Sequence, residues 1–479
     1  MLTYSFENIG NTSLYEHLYN CIKKDIVEGV LKKDEKLPSK RALSKNLNIS
    51  VITIETAYGQ LMAEGYIYSL PKKGFYVSDL SEIMPFQSSE IHIPEHNNEI
   101  TDTNTEYKSG KSDYFIDFVS NKTSPTNFPF SRWAQLLREV ISEEGTNLLI
   151  NSPAGGIFYL KNAIAKYLKE FRGISVSPEQ IIVGAGTEYI YGLLIQLFSH
   201  DTVFAVEEPG HKKISQIYDA HNVKCVHIPL DKNGVSVNAL EKSSADILHI
   251  SPSHHYPTGI VTPISRRYKL LAWANKSAER YIIEDDYDCE FRLQGNPIPS
   301  LKSIDSSDKI IYINTFSKSL ASTIRISYMV LPPSLLKTYY DRLGFYSCTV
   351  SNFEQYTLAK FIDKGYFEKH INRQRTYFKY QRNLLLNIIK NSPIANKCTI
   401  TEEDSGLHFL LKINTTLSDE VFKKVCQANG IQLSLLSDYY YDKKSVPDSA
   451  LSTIVVNYSG LSLEDLPTAL DIINVIISE

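Results

Sequence analysis

The chain predicts an α/β protein, a mostly parallel sheet covered by helices on both faces, with a smaller helical unit in front. Two patterns predict the sheet. Short apolar runs of strand length recur at 180–183, 203–206, 223–228, 247–250, 281–283 and 310–313. Helix-period segments lie between several of them, as at 188–198 and 266–275. Such alternation makes parallel neighbours, because a parallel return needs a crossover. The third observation is a charge profile in three parts. Residues 1–78 carry ten Lys/Arg against eight Asp/Glu, residues 79–113 two against eight, and the remainder 38 of each. A basic head, an acidic tether and a neutral body suggest parts with different jobs.

At 479 residues the chain is too long for one core, so two or three domains are expected. A hydrophobic content of 43% with 22% charged residues describes a soluble globular protein. No apolar run reaches the length of a membrane span. Residues 1–10 lack a basic start followed by an apolar block, so a cytoplasmic protein without a secretory signal is expected. The six cysteines (21, 225, 289, 348, 398, 426) form no Cys-x-x-Cys. They suit a reducing compartment and carry no metal signature.

In the head, Leu14, Leu18, Ile22 and Ile26 recur at four-residue spacing, on one helical face. Gly29 ends that helix. Ser39 is the expected N-cap of a second helix, on which Leu43 and Leu47 share a face. After the break Asn48-Ile49-Ser50, a third helix is expected from about Ser50 to Glu64. Ile54, Ala57, Tyr58 and Leu61 turn inward there, and Gly65 is the stop. Two short strands, 66–70 and 75–77, flank Pro71-Lys72-Lys73-Gly74. Helix, turn, helix and basic-tipped hairpin make a winged helix-turn-helix, whose last helix enters the DNA major groove by its N-terminal residues. The expected DNA-facing residues are Ser50, Thr53, Glu55 and Thr56 on that helix. Ser39, Lys40, Arg41 and Lys45 precede it, and Lys72 and Lys73 tip the wing.

Leu37 to Val77 resembles the DNA-binding domain of GntR-type bacterial regulators. The matching residues are Pro38-Ser39-x-Arg41-x-Leu43, Ala57-Tyr58-x-x-Leu61, Glu64-Gly65-Tyr66 and Gly74-Phe75-Tyr76-Val77. That family usually has an arginine after the serine that opens the recognition helix. Here the position is Val51, which removes one direct contact and leaves the operator sequence open.

Residues 79–113 are rich in Ser, Thr, Asn, Asp and Glu without periodicity, and read as a flexible acidic linker. Met84-Pro85-Phe86 and Ile91-His92-Ile93-Pro94 within it are candidates for local docking. Residues 114–479 are expected to form the effector domain, with a large part at about 150–350 and a small C-terminal part at about 351–479.

Ligands of parallel sheets sit at the C-terminal ends of strands, and the motifs of the body fall there. The run Ile310 to Ile313 leads into Thr315, Ser317 and Lys318, with Arg325 seven residues later. A lysine among hydroxyls, with a guanidinium behind, suits a phosphorylated aldehyde such as pyridoxal phosphate: the amine forms an imine and the others bind phosphate. Gly184-Ala185-Gly186-Thr187 follows one strand and opens a helix, where backbone N–H groups and Thr187 suit a phosphate. Glu284-Asp285-Asp286-Tyr287-Asp288 follows another. Either a metal binds these carboxylates, or Asp285 pairs with a protonated pyridine nitrogen and Tyr287 bonds a ring oxygen. Glu207-Glu208-Pro209-Gly210-His211 offers His211 as a ring stacker. His254-His255-Tyr256-Pro257-Thr258-Gly259 offers paired histidines, with no third metal ligand at a recognisable spacing.

Taken together, residues 114–479 are similar to fold-type I aminotransferases, and the whole chain resembles the MocR/GabR group of regulators. The match is closest at 207–210, at 282–288, and from Thr315 through Arg325 to Met329. The resemblance implies that Lys318 carries the Schiff base with pyridoxal 5'-phosphate, Asp285 binds the ring nitrogen and Tyr287 the 3-oxygen. Thr187, Ser317 and Arg325 would bind phosphate, beside Ala185, Gly186, Thr315 and His211. It also implies a homodimer acting on double-stranded DNA.

The chain departs from amino-acid aminotransferases where they bind a substrate carboxylate through arginine. The corresponding stretch, Val455 to Leu461, has no arginine, and Gly460 stands about where one is expected. Lys213 stands where a second anion-binding arginine often lies and is the candidate effector contact. These features favour a regulator that senses a small amine, an amino-acid-like effector or pyridoxal phosphate itself. The alternative is a catalytically active aminotransferase with an accessory DNA-binding head.

Overall fold

The structure is a computed structural model. It describes residue 4 and residues 13–71, 73–79, 114–120, 127–293, 298–404 and 406–478. The expected linker, except Asp79, and both docking candidates within it lie outside the described residues, as does Lys72. The chain divides into two compact units, 1–110 and 111–479.

The first unit holds α1 (Leu14–Val27), α2 (Lys40–Leu47), α3 (Val51–Ala63) and an antiparallel hairpin of β1 (Ile67–Leu70) and β2 (Gly74–Val77). Leu18, Ile22, Leu43, Ile54, Tyr58 and Leu61 close its core. Ser39 and Ser50 cap α2 and α3, accepting from the amides of Ala42 and Thr53 at 3.2 and 3.1 Å. Leu14, expected on the buried face, is instead 45% exposed. As the first helical residue it projects back beyond the helix end, because Cβ bonds tilt toward the N-terminus.

The second unit begins with β3 (Ile116–Asp117), α4 (Phe130–Glu144) and α5 (Phe158–Tyr167). Then strands and helices alternate: β4 (Ile181–Gly184), α6 (Thr187–Leu197), β5 (Phe204–Glu208), α7 (Lys212–Ala220), β6 (Cys225–Asp231), β7 (Gly234–Val235), α8 (Val237–Lys242), β8 (Ile247–Ile250), α9 (Ile264–Asn275), β9 (Tyr281–Asp285), β10 (Ile310–Thr315), the single turn α10 (Phe316–Ser319) and β11 (Ser327–Val330). These build an eight-stranded sheet of order β4-β11-β10-β9-β8-β5-β6-β7. The run β10-β9-β8-β5-β6 is parallel, while β11 lies antiparallel to both its neighbours and β7 antiparallel to β6. Every residue of β4, β5, β8, β9, β10 and β11 is buried. Burial on both faces explains why these strands read as continuous apolar runs.

After α11 (Pro333–Leu343), α12 (Asn352–Asp363) packs on α4 and α5. The long α13 (Tyr366–Lys390) shares its first turns with the core of β4 and β10, through Phe367 and Ile371. Its later residues Phe378, Leu385 and Ile389 enter a separate core. There an antiparallel sheet of β12 (Cys398–Thr401), β13 (His408–Ile413) and β15 (Thr453–Asn457) packs with α14 (Asp419–Ala428) and α15 (Leu466–Ile476). Between them β14 (Ile431–Gln432) pairs in parallel with β3, tying the start of this unit to its end.

Candidate functional site

Because β5, β8, β9 and β10 are parallel, their C-terminal ends share one edge of the sheet. A cavity of about 510 Å³ opens there. It brings together Thr187, His211, Lys213, Asp285, Tyr287, Thr315, Ser317, Lys318 and Arg325, nine of the residues singled out in sequence. Ala185 and Gly186 are not among the lining residues; the Ala185 amide donates to Thr349 Oγ1 at 3.0 Å.

Asp285 ends β9 and is 3% exposed. Tyr191, one turn into α6, donates its hydroxyl to Oδ2. Burial, reinforced by that carboxylate, holds Tyr191 well above the usual phenol range, so it stays a donor. His249 Nε2 lies 3.4 Å from the same oxygen, and its Nδ1 lies 2.7 Å from the Tyr218 hydroxyl. A chain of three side chains therefore fixes the carboxylate in place beneath the cavity.

Lys318 follows β10 on α10, whose N-cap is Thr315: its Oγ1 accepts from Ser317 N at 3.1 Å. Ser327 donates to the same hydroxyl at 2.8 Å. Burial pushes the Lys318 amine down to about 8, with Asp288 pulling the other way. Ser317 Oγ is buried without a hydrogen-bond partner among the described residues. Arg325 takes a positive φ of 50° just before β11, and its guanidinium lies against the backbone at the start of α6. A Cβ on Gly186, itself at φ +92°, would stand 2.5 Å from Arg325 Nη2. Only glycine fits there. A buried hydroxyl with spare capacity, a helix start, a guanidinium and an amine shifted toward its neutral form fit an anionic aldehyde.

Glu188 sits beside Thr187 and was not expected. It accepts from Arg325 Nη2 at 3.0 Å and pairs with Lys213, which holds its carboxyl below the ordinary range. Lys213, the expected effector contact, thus carries a counter-charge. The His211 ring lines the cavity, 5.7 Å from the Tyr256 ring, and partial desolvation there lowers its pKa, less than full burial would because the residue is still exposed to solvent. Tyr287 donates to the His254 carbonyl at 3.3 Å.

The run Glu284 to Asp288 does not converge on a cation. Glu284 accepts from the amides of Leu301 and Lys302 at 2.6 and 2.8 Å. Asp286 pairs with Arg172 at 2.5 Å and accepts from the Tyr312 hydroxyl at 2.9 Å. Asp288 meets His254 Nδ1 at 2.9 Å. No cluster of metal-ligating side chains occurs among the described residues. His255 also turns elsewhere, toward Thr258 Oγ1 at 2.7 Å and Glu207 at 3.5 Å. Tyr256 and Tyr439 also line the cavity, their hydroxyls 2.8 Å apart, while Asn457, outside the lining, donates to the carbonyls of Phe118 and Val119. Gly460 is exposed and does not line the cavity.

In the head, several expected DNA contacts are engaged internally. Lys40 donates to Glu55 at 2.6 Å. Ser50 Oγ caps α3 and lies 2.8 Å from the Thr53 hydroxyl, while Thr56 donates to the Ile52 carbonyl at 3.0 Å. Arg41, Lys45 and Lys73 are exposed. Sequence reasoning noted Val51 only as a missing arginine and passed over Ile52; they are 40% and 74% exposed at the start of α3. The helical phase fixed by Ile54, Ala57, Tyr58 and Leu61 would have found them. Tyr191 was likewise findable, four residues after Thr187. His249 was too, as the one polar residue of an apolar strand.

A winged helix-turn-helix and, as a second unit, this sheet with a lysine at its strand ends define a DNA-binding head with an aminotransferase-like body. Residues 14–77 match the model of the bacterial regulatory proteins of the gntR family, and residues 115–471 match aminotransferase class I and II. An uncharacterized HTH-type transcriptional regulator, YhdI of Bacillus subtilis, is 34% identical over 95% of this chain and 94% of its own length. The probable rhizopine catabolism regulatory protein MocR of Rhizobium meliloti is 29% identical over 94% and 90%. Kynurenine aminotransferase of Pyrococcus horikoshii superposes with a TM-score of 0.66 over 77% of this chain and 91% of that one. At 23% identity, that is a likeness of fold alone. The chain belongs to the MocR-type HTH regulators, in which a gntR-type domain precedes an aminotransferase class I and II domain. Proteins of this aminotransferase fold typically depend on pyridoxal phosphate.

Proposed function

We propose that this chain is a transcription regulator that binds duplex DNA through α3 and holds pyridoxal phosphate on Lys318. It senses a small amine, an amino-acid-like effector or the cofactor itself. The observation that carries the reading is Lys318, lowered to about 8 and lining one cavity with Asp285, in a chain with a gntR-type head. Pyridoxal phosphate supplies an aldehyde that condenses with amines and a ring that draws electrons. Lys318 would hold the aldehyde carbon. Asp285, kept in place by Tyr191 and His249, would hold the ring nitrogen, and Tyr287 the ring oxygen. Thr187, Ser317, Arg325 and the Gly186 backbone would hold the phosphate.

Arg325 is the only arginine lining the cavity among the described residues, and the phosphate claims it. That leaves no guanidinium for a substrate carboxylate, which favours sensing over turnover. No helix among the described residues is long and apolar enough to cross a membrane. The reading includes a cytoplasmic homodimer that presents two heads to paired half-sites; an effector changes their presentation by favouring one body conformation.

The test is Lys318→Ala. The wild type should take up pyridoxal phosphate with a visible absorbance band, and a panel of amines should shift that band and DNA binding together. The variant should lose both responses. A variant that keeps the band and the DNA response sinks the proposal, and sustained turnover of an amino donor with a keto acid would favour the aminotransferase.

A further inference from the structure

The first turn of α3 offers solvent two aliphatic side chains and few hydrogen-bond donors. Ile54, Ala57, Tyr58 and Leu61 are fully buried, so residues 51, 52, 55 and 56 face outward. Of these, Ile52 is 74% and Val51 40% exposed. The Ser50 and Thr53 hydroxyls meet one another at 2.8 Å around the helix cap, and the Thr56 hydroxyl donates to its own helix. Glu55 is neutralised by Lys40 at 2.6 Å. Arg41 and Lys45 on α2 and Lys73 on the hairpin add exposed positive charge to the same unit.

An apolar spot on a unit that also exposes cations suits an apolar target embedded in a polyanion. DNA offers one in the major groove. Thymine carries a C5 methyl there, whereas guanine, cytosine and adenine offer only donors and acceptors. Guanine is normally read by a bidentate arginine or lysine, and the outward face of this first turn has neither. We propose that Ile52, supported by Val51, reads thymine methyl groups, so that each half-site carries thymine where α3 enters the groove. The proposal rests on the regulator reading and adds its base preference. Arg41, Lys45 and Lys73 supply backbone affinity without choosing a base.

The experiment uses the full chain with pyridoxal phosphate present. A random-sequence duplex pool is selected by binding and sequenced, and the winning duplex is remade with uracil at each conserved thymine. Uracil pairs as thymine does but lacks the methyl. Binding should fall about fourfold for each methyl in contact, the factor carried by burying one methyl-sized group. Ile52→Ala should bind thymine and uracil duplexes alike, and Ile52→Val should keep part of the difference. Ile52 is a surface residue, and an unchanged melting curve confirms that the variant folds. Equal wild-type affinity for thymine and uracil duplexes, or a conserved core of G·C pairs alone, overturns the proposal. So does a discrimination that survives Ile52→Ala, as it would if the patch served a protein partner. Failure to select any duplex would instead overturn the regulator reading beneath it.

Discussion

Arg325 Nη2 donates to Glu188 Oε2 across 3.0 Å, so the guanidinium expected to hold a phosphate already holds a carboxylate. Lys213 shares that carboxylate from the other side. A phosphate arriving at Arg325 must compete with Glu188 or meet it as a like charge. Glu188→Gln keeps the shape and removes the charge. It should tighten pyridoxal phosphate binding about three- to fivefold. The gain corresponds to roughly 0.6–1 kcal/mol, the range of a partly exposed, solvent-screened pair. Absorbance titration measures it, and weaker binding by the variant would show Glu188 to be a helper of the site.

The reactivity of Lys318 should follow its pKa. Burial lowers the amine to about 8, from 10.5 for an ordinary lysine. The neutral amine, the form that attacks an aldehyde, is then present in about half the molecules near pH 8. The rate of pyridoxal phosphate capture should rise with pH and level off above that midpoint. Asp288 is the charge that opposes the shift, so Asp288→Asn should move the midpoint lower. Stopped-flow absorbance across pH 6–11 reads both curves. A wild-type midpoint near 10 would mean that Lys318 is solvated as an ordinary lysine.

Glu207 and His255 contribute opposing pH dependences to the stability of the body. Burial pushes Glu207 up to about 8 and His255 down to about 3. Glu207 is thus protonated more readily folded than unfolded. The stability this gives is present below the unfolded value of 4.5 and is lost as pH rises through 8. For His255 the folded value is depressed, so stability is present above 6.5 and lost as pH falls toward 3. The optimum lies between. Glu207→Gln can still accept from Ser251 N, which reaches Glu207 at 2.9 Å, and stays neutral at every pH. Its melting temperature should match wild type near pH 4.5 and exceed it at pH 9. Parallel curves for the two proteins would rule this account out.

The sheet was legible because its strands are buried on both faces and so stand out as apolar runs. Lys318 and Asp285 were legible for a related reason: in a parallel sheet, polar residues at the C-terminal strand ends meet at one edge. Arg325 reaches that edge from just before β11, which runs antiparallel to β10. What escaped depended on partners distant in sequence. Glu284, Asp286 and Asp288 crowd one segment, yet each is matched by a group from elsewhere: the amides at 301 and 302, Arg172 and His254. The local sequence shows only the repulsion. Glu188 on α6 and Lys213 on α7 have β5 between them in sequence, so their pairing had no local mark. In the head, reading the outward face of α3 as a polar set hid Ile52 and the apolar patch it makes with Val51, whose exposure follows from helical phase rather than from hydropathy.

Arg172 and Asp286 form an ion pair whose side chains are each 1% exposed. Arg172 also donates to the Ile298 carbonyl at 2.8 Å, and Asp286 accepts from Tyr312. Breaking such a pair from one side leaves a buried charge without its counter-ion, which costs about 3–5 kcal/mol. Arg172→Ala should therefore destabilise the body by that amount. Adding Asp286→Asn removes the stranded charge while keeping an acceptor for Tyr312, and should restore at least half of the loss. The readout is specific to the body, because both tryptophans, Trp133 and Trp273, belong to it. Denaturant unfolding followed by their fluorescence should show the single variant shifted to lower denaturant and the double variant between it and wild type. A double variant less stable than the single would mean that Asp286 contributes through its own charge and not through Arg172.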